Sequence, residues 1–258
     1  MNQRLKTVLV QSDIVWMNVP RNLIKYENFL GKIDQEVDLI LLPEMFATGF
    51  VLDPTSFSAD DQKAVMDWML RMAGRFNACI SGSHPFYHEG RYFNRFLAAF
   101  PDGSLTFYDK RHLFTIGGEK QHFTAGNDRL VFDVKGWKLM PLICYDLRFP
   151  VWSRNNVKYD LLLFAANWPK VRNHVWEILL KARAIENQSY VIGINRIGID
   201  GRSIEYFGQS QVISPKGEII ARLSDREDLL TVSLSKIELD RFRKDFPVLD
   251  DADNFTIG

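Results

Sequence analysis

The stretch "LMPLICYDLRFP", Leu139 to Pro150, decides how the chain is read: an apolar, strand-like run delivers a cysteine and then turns abruptly polar. Two readings of Cys144 are open at this point. Cysteine is among the most buried residue types and commonly fills cores as a small hydrophobe. The alternative is a nucleophile carried at the end of a strand, and the surrounding elements decide between them.

Downstream of this run lie a short helix near 149–155, the buried strand "YDLLLFAA", a helix from about 172 to 187, and the strands "SYVIGIN", "GQSQVIS" and "LLTVSL". Upstream, "TVLV" precedes a helical stripe of Val19, Leu23, Tyr26, Leu30, Ile33 and Val37, with Asn18 as cap and Pro20 in the first turn, where a missing N–H costs little. "DLILLP" has the continuous apolarity of a strand covered on both faces. A second helix is expected over 60–76, where Asp60 and Asp61 suit the start and Val65, Met69, Met72 and Phe76 repeat at helical spacing. Consecutive antiparallel strands fill 78–108, separated by "HEGR" and "PDGS" turns. The segment "RHLFTIGGEKQHFTAGND" has no period and reads as a long loop, a type usually functional or mobile.

About ten strands mixed with helices exceed what one open sheet holds comfortably. The expected fold class is therefore α/β, a four-layer αββα sandwich with two mixed sheets. No repeat or linker divides the chain, so 1–258 reads as one domain, with 242–258 an acidic, irregular tail. The 32 basic and 32 acidic residues balance, so no long-range field favours nucleic acid or an anionic membrane. A small molecule is the expected partner. Two cysteines form at most one bridge, which fits thiols in a reducing, cytoplasmic setting, and no apolar run approaches the roughly 18 residues of a membrane span.

Three reactive side chains directly follow apolar runs: Glu44 after "LILLP", Lys110 after "LTFYD" and Cys144 after "LMPLI". Ligands bind beyond the carboxyl ends of strands in α/β sheets, so these residues have a route to one site despite their separation. The chemistry needs all three. An ordinary thiol near pKa 8.5 is only about 3% ionised at pH 7. A carboxylate can take its proton and pass it to a leaving nitrogen, while an ammonium supports thiolate and oxyanion. Together they suit acyl transfer from an amide or related C–N bond.

"LPEMFATGF", "YDKRHLF" and "CYDLRFP" resemble the three signature segments of the nitrilase superfamily of carbon-nitrogen hydrolases, in the order Glu, Lys, Cys. "ANWP" and "KARAIENQSYVIGINRIG" resemble its later core segments, so the likeness covers nearly the whole chain. The resemblance implies the nitrilase-like fold, with Glu44 as general base and acid, Lys110 as oxyanion stabiliser, Cys144 as nucleophile and the Tyr145 backbone N–H as second oxyanion donor. It further implies Glu119 in the loop after the lysine as the group that positions substrate and water. The signature segments are most similar to the omega-amidase branch, which implies a thioester route from short 2-oxo acid monoamides, 2-oxoglutaramate and 2-oxosuccinamate, to dicarboxylate and ammonia. It also implies a homodimer, and no metal or organic cofactor. Arg172, with Arg111 behind it, is the candidate for the substrate carboxylate, and Phe114 and Trp168 for the pocket walls.

Other readings remain. His84 and His88 in "HPFYH" lie about 13 Å apart if extended, too far for one metal. A Cys-His pair using His84, His112 or His174 would make a thiol protease or transferase. Cys79 is expected in the core, Asp146 with Arg148 as an ion pair fixing the turn, and Arg183 with Glu186 as an ordinary helix pair. A nitrilase, an N-carbamoyl amidohydrolase and a catalytically idle binding module complete the alternatives.

Overall fold

A computed structural model describes residues 3–256. Two six-stranded sheets form its centre. The first has the order β14-β1-β2-β3-β4-β5, built from β1 (Arg4–Gln11), β2 (Leu39–Leu41), β3 (Cys79–His88), β4 (Arg91–Ala99), β5 (Leu105–Asp109) and β14 (Asp228–Ser235). The second runs β13-β12-β9-β8-β7-β6, from β6 (Phe132–Val134), β7 (Trp137–Ile143), β8 (Leu161–Ala166), β9 (Tyr190–Asn195), β12 (Gln211–Ile213) and β13 (Ile219–Arg222). In each sheet three central strands are parallel, β1-β2-β3 and β7-β8-β9, and antiparallel strands flank them. A separate hairpin pairs β10 (Ile197–Ile199) with β11 (Glu205–Phe207).

Side-chain alternation builds the layers. Val8, Ile40, Ile80 and Leu97 point from the first sheet to α1 (Val19–Leu30) and α2 (Ala59–Phe76), where they meet Tyr26, Leu30, Trp68 and Met69. Their sequence neighbours Leu9, Leu39, Leu41, Phe96 and Ala98 join the second sheet's Leu139, Leu161 and Leu163 in one core, which also takes in Trp152 of the short α3 (Pro150–Ser153) and Trp176, Leu180 and Ala184 of α4 (Asn173–Asn187). Helices, sheet, sheet and helix are the four layers expected.

The differences lie at element ends. The stripe predicting α1 continues to Ile33 and Val37, but the helix stops at Leu30 with Gly31 as its C-cap, and Val37 is buried from the following loop. The apolar period persists there because the loop still faces the core. The second helix takes its cap from Ser58, whose hydroxyl accepts from the Asp61 N–H while the Asp61 carboxylate accepts from Ser58 N–H. The short strands β10, β11 and β13 stand in no apolar run of their own, which is why about ten strands were expected and fourteen form among the described residues. The tail begins later than 242, because Phe242 lies in α5 (Lys236–Asp245), where Arg243 binds Asp160 and the Tyr159 and Gln188 carbonyls. Residues 257 and 258 of the tail lie outside the described residues.

Candidate active site

The ends of β2, β5 and β7 deliver Glu44, Lys110 and Cys144 to one place. Lys110 follows β5 directly, and its backbone is clasped on both sides: its N–H donates to Asn94 O at 3.0 Å and its carbonyl accepts from Gly126 N–H at 3.0 Å. Its buried ammonium donates to Glu44 Oε1 at 2.9 Å and to Glu119 Oε2 and Oε1 at 2.9 and 3.1 Å. Asn94 Nδ2 bridges the same two carboxylates at 2.8 and 3.0 Å, and Ser83 Oγ holds Asn94 Oδ1 at 2.9 Å. Glu44 Oε2 accepts from Asn167 N–H at 2.8 Å, and Asn167 Nδ2 donates to Glu44 O at 2.7 Å. Glu119 also accepts from Phe114 N–H at 2.6 Å, so the long loop after Lys110 is anchored to the charge cluster.

Cys144 begins a 3-10 segment, Cys144–Arg148, with a left-handed φ of 43°. Such a conformation is costly for a residue with a Cβ, of order 1 kcal/mol or more, and needs support. Asp146 supplies it: its buried carboxylate accepts from Ile143 N–H, Tyr108 OH, His112 N–H and His112 Nδ1 at 2.8–3.0 Å. The turn is thus fixed by Asp146 as expected, but its partner is His112 rather than Arg148. Arg148 instead lies over the Trp168 ring, 5.2 Å from the centroid, and faces the cleft.

The electrostatics follow from burial. Burial alone would push the Lys110 ammonium down, but Glu119 and Glu44 outweigh it and hold the pKa above that of an ordinary lysine. Burial raises Glu119, reinforced by Glu44 and opposed by Lys110. The Cys144 thiol is also pushed well up, by burial and then by Glu44, whose charge and hydrogen bond outweigh the Lys110 ammonium. The sulfur, 3.9 Å from Asn167 O, therefore rests as a thiol beside a carboxylate able to take its proton.

Above the cluster opens a cleft of about 510 Å³, counting its mouth, walled by Phe50, Phe114, Trp168, Pro169, Ile204 and Tyr206. Tyr145 and Arg172 border it as well. The Arg172 guanidinium sits 5.4 Å from the Phe114 ring centroid, while Arg111 turns to Asn127 Oδ1 and the Gly126 carbonyl. Asn94, Asn167, Arg202 and Tyr206 also stand at the site, with no motif in the sequence to announce them. Asn167 stands in the "ANWP" segment quoted above, yet nothing in its neighbours announces a carboxylate partner from 123 positions away. Cys79 is buried among core residues on β3, and His84 is buried with no hydrogen-bond partner on either ring nitrogen. Among the described residues no group of three or more His, Cys, Asp or Glu side chains is arranged to hold a metal.

Comparison with known proteins adds to this geometry. Residues 6–244 match the carbon-nitrogen hydrolase family. The chain is 46% identical over 256 residues to the omega-amidase YafV of Escherichia coli strain K12, covering 98% of each. It is 32% identical over 247 residues to a 2-oxoglutaramate amidase of Bacillus subtilis, covering 94% of this chain and 95% of the relative. Among solved structures, XC1258 of Xanthomonas campestris, a CN-hydrolase superfamily protein with an arsenic adduct in its active site, superposes with a TM-score of 0.92 at 38% identity over 99% of each chain. Nit3 of Saccharomyces cerevisiae, at 23% identity and a TM-score of 0.85 over 95% of each chain, shares the fold.

Proposed function

The chain belongs to the carbon-nitrogen hydrolase family and is an amidohydrolase of the nitrilase superfamily, and from that premise we propose that it hydrolyses the ω-amide of short 2-oxo acid monoamides, 2-oxoglutaramate and 2-oxosuccinamate, to ammonia and the dicarboxylate. The observation that carries this reading is a thiol, a carboxylate and an ammonium meeting at the floor of a cleft lined by guanidinium groups. The relatives' names support the substrate.

In the proposed mechanism Cys144 passes its proton to Glu44 as the sulfur bonds to the amide carbon. Burial and the Glu44 charge push the thiol pKa up, which favours moving the proton to Glu44 together with the attack. The carbonyl π electrons move to oxygen, which sits between Lys110 Nζ and the Tyr145 N–H. Tyr145 lies in the first turn of the 3-10 segment, where backbone N–H groups have no partner within the segment. Collapse breaks the C–N bond, the nitrogen takes the proton from Glu44, and ammonia departs. A thioester remains on Cys144. Glu44 then deprotonates a water held with help from Glu119, the hydroxyl adds to the thioester carbon, and the departing sulfur recovers its proton as the acid leaves.

Arg148 and Arg172 are assigned to the substrate's carboxylate and Phe114 and Trp168 to its aliphatic chain, on the strength of their place around the cleft. Exposed Val171, Ile178 and Ile185 repeat every seven positions along and just before α4, an apolar stripe that supports a homodimer. Two free cysteines suit a reducing compartment, and the cytoplasm is the proposed location; no described helix is long and apolar enough to cross a membrane.

Ammonia release from 2-oxoglutaramate by the wild-type protein and Cys144→Ala tests the reading. Wild-type turnover with none from the variant is expected. Equal rates reject the nucleophile; turnover only of nitriles, or carbon dioxide released with ammonia from N-carbamoyl compounds, rejects the substrate; and no turnover of any of them favours an idle binding module.

A further inference from the structure

The cleft carries positive charge that its own chain does not balance. Arg148, Arg172 and Arg202 all line it, whereas the arginine ion pairs among the described residues involve other arginines. At the floor, one buried ammonium faces two carboxylates, so when both are ionised an arriving anion meets net negative charge there. The protein as a whole has no formal net charge to draw the anion in. Any attraction has to come from the rim.

Arg202 occupies that rim on an unusually well-fixed mount. It belongs to the 200–204 loop joining β10 to β11, and one buried carboxylate organises the loop: Asp200 accepts from Arg202 N–H at 2.9 Å, Ile204 N–H at 3.0 Å and Tyr206 OH at 2.8 Å. Gly201 packs so closely on Trp16 that a Cβ there would stand 2.3 Å from the indole nitrogen. Bridges from Ile197 to Asp13 and from Tyr206 to Pro169 tie the hairpin to the body. Both acidic groups of the hairpin are already engaged, Asp200 in the loop and Glu205 with Lys170 at 2.8 Å. The Arg202 side chain is left exposed, beside the cleft, on a backbone that has little freedom left to lose.

We propose that Arg202 is a specificity-determining capture residue: its guanidinium draws anionic amides to the mouth and hands them to Arg148 and Arg172, favouring carboxylated over neutral acyl chains. This rests on the proposed 2-oxo acid monoamide substrate and adds how such an anion is selected. A rim charge acts through the rate of encounter and is screened by salt, while deeper contacts act through the bound complex. Arg202 therefore belongs in kcat/KM, with little weight in kcat.

The test compares kcat/KM for 2-oxoglutaramate and for uncharged butyramide at low and high ionic strength, in wild type, Arg202→Gln and Arg202→Glu. Expected is a roughly threefold to tenfold fall in the anionic-to-neutral ratio for the Gln variant at low salt, a larger fall for Glu, a nearly constant kcat on the anion, and convergence of all three proteins in high salt. A ratio that stays at the wild-type value, or a loss shared equally by both amides and indifferent to salt, overturns the proposal and leaves a structural role. The wild type alone reads the underlying function: a preference for butyramide sinks the substrate assignment and the capture role with it, whereas a wild-type preference for the anion that survives in both variants sinks only Arg202.

Discussion

Lys110 holds two buried carboxylates at once, and removing it would leave both facing each other without a counter-charge. Lys110→Met is expected to abolish ammonia release and to cost about 3–5 kcal/mol of stability by urea unfolding, the range for breaking a buried ion pair from one side. Adding Glu119→Gln should recover part of that stability and none of the activity; a single variant as stable as wild type would show that the cluster is not held by charge. His84 gives a second test. Burial pushes its pKa down to about 3 from 6.5, so the unfolded chain binds a proton that the folded one refuses. Stability contributed by the neutral ring is present above pH 6.5 and is lost as pH falls toward 3, with a slope of about 1.4 kcal/mol per pH unit. His84→Leu should flatten that slope between pH 6 and 4. Glu44, Lys110 and Cys144 stood out in the sequence because each ends an apolar run inside a segment that resembles a family signature, but Asn94 and Asn167 did not: an asparagine's value here comes from bonds to groups 50 and 123 positions away. Arg148 was misassigned for a similar reason, since two residues of separation suggest a pair with Asp146 while the turn sends them to opposite partners.

Elements position these residues, and their joints are where small changes act. Gly126 returns the long loop to the end of β5, and a Cβ there would lie 2.2 Å from the Asp109 carbonyl oxygen, which cannot yield without moving the strand end. Gly126→Ala is therefore expected to displace Lys110 and reduce kcat roughly tenfold or more, because catalysis loses heavily to errors of about 1 Å. Retained kcat would mean that the loop gives way without disturbing the lysine. The α2 cap is a local counterpart: Ser58→Ala should cost about 1 kcal/mol and leave kcat intact. Helices and long strands were readable from period alone, and their ends were not. The Ser58 cap was hidden by the more conspicuous Asp60 and Asp61, and Ile33 and Val37 kept the helical rhythm from a loop that faces the core.

Across the whole molecule, the mixed pattern of parallel centre and antiparallel flanks appears once in each sheet, and the cleft lies where the two meet. The order of strands and helices forecast that layering, because about ten strands exceed what one open sheet holds comfortably. If the α4 stripe is a subunit contact, Ile178→Asp with Ile185→Asp should convert a dimer to monomer in sedimentation velocity; an unchanged mass would place the contact elsewhere. The pairing of β1 with β14 joins residues 225 positions apart, as at Thr7 and Val232. During synthesis on the ribosome, β1 therefore emerges long before β14 and must wait with an open edge until β14 follows, a delay that exposes nascent chains to mispairing with one another.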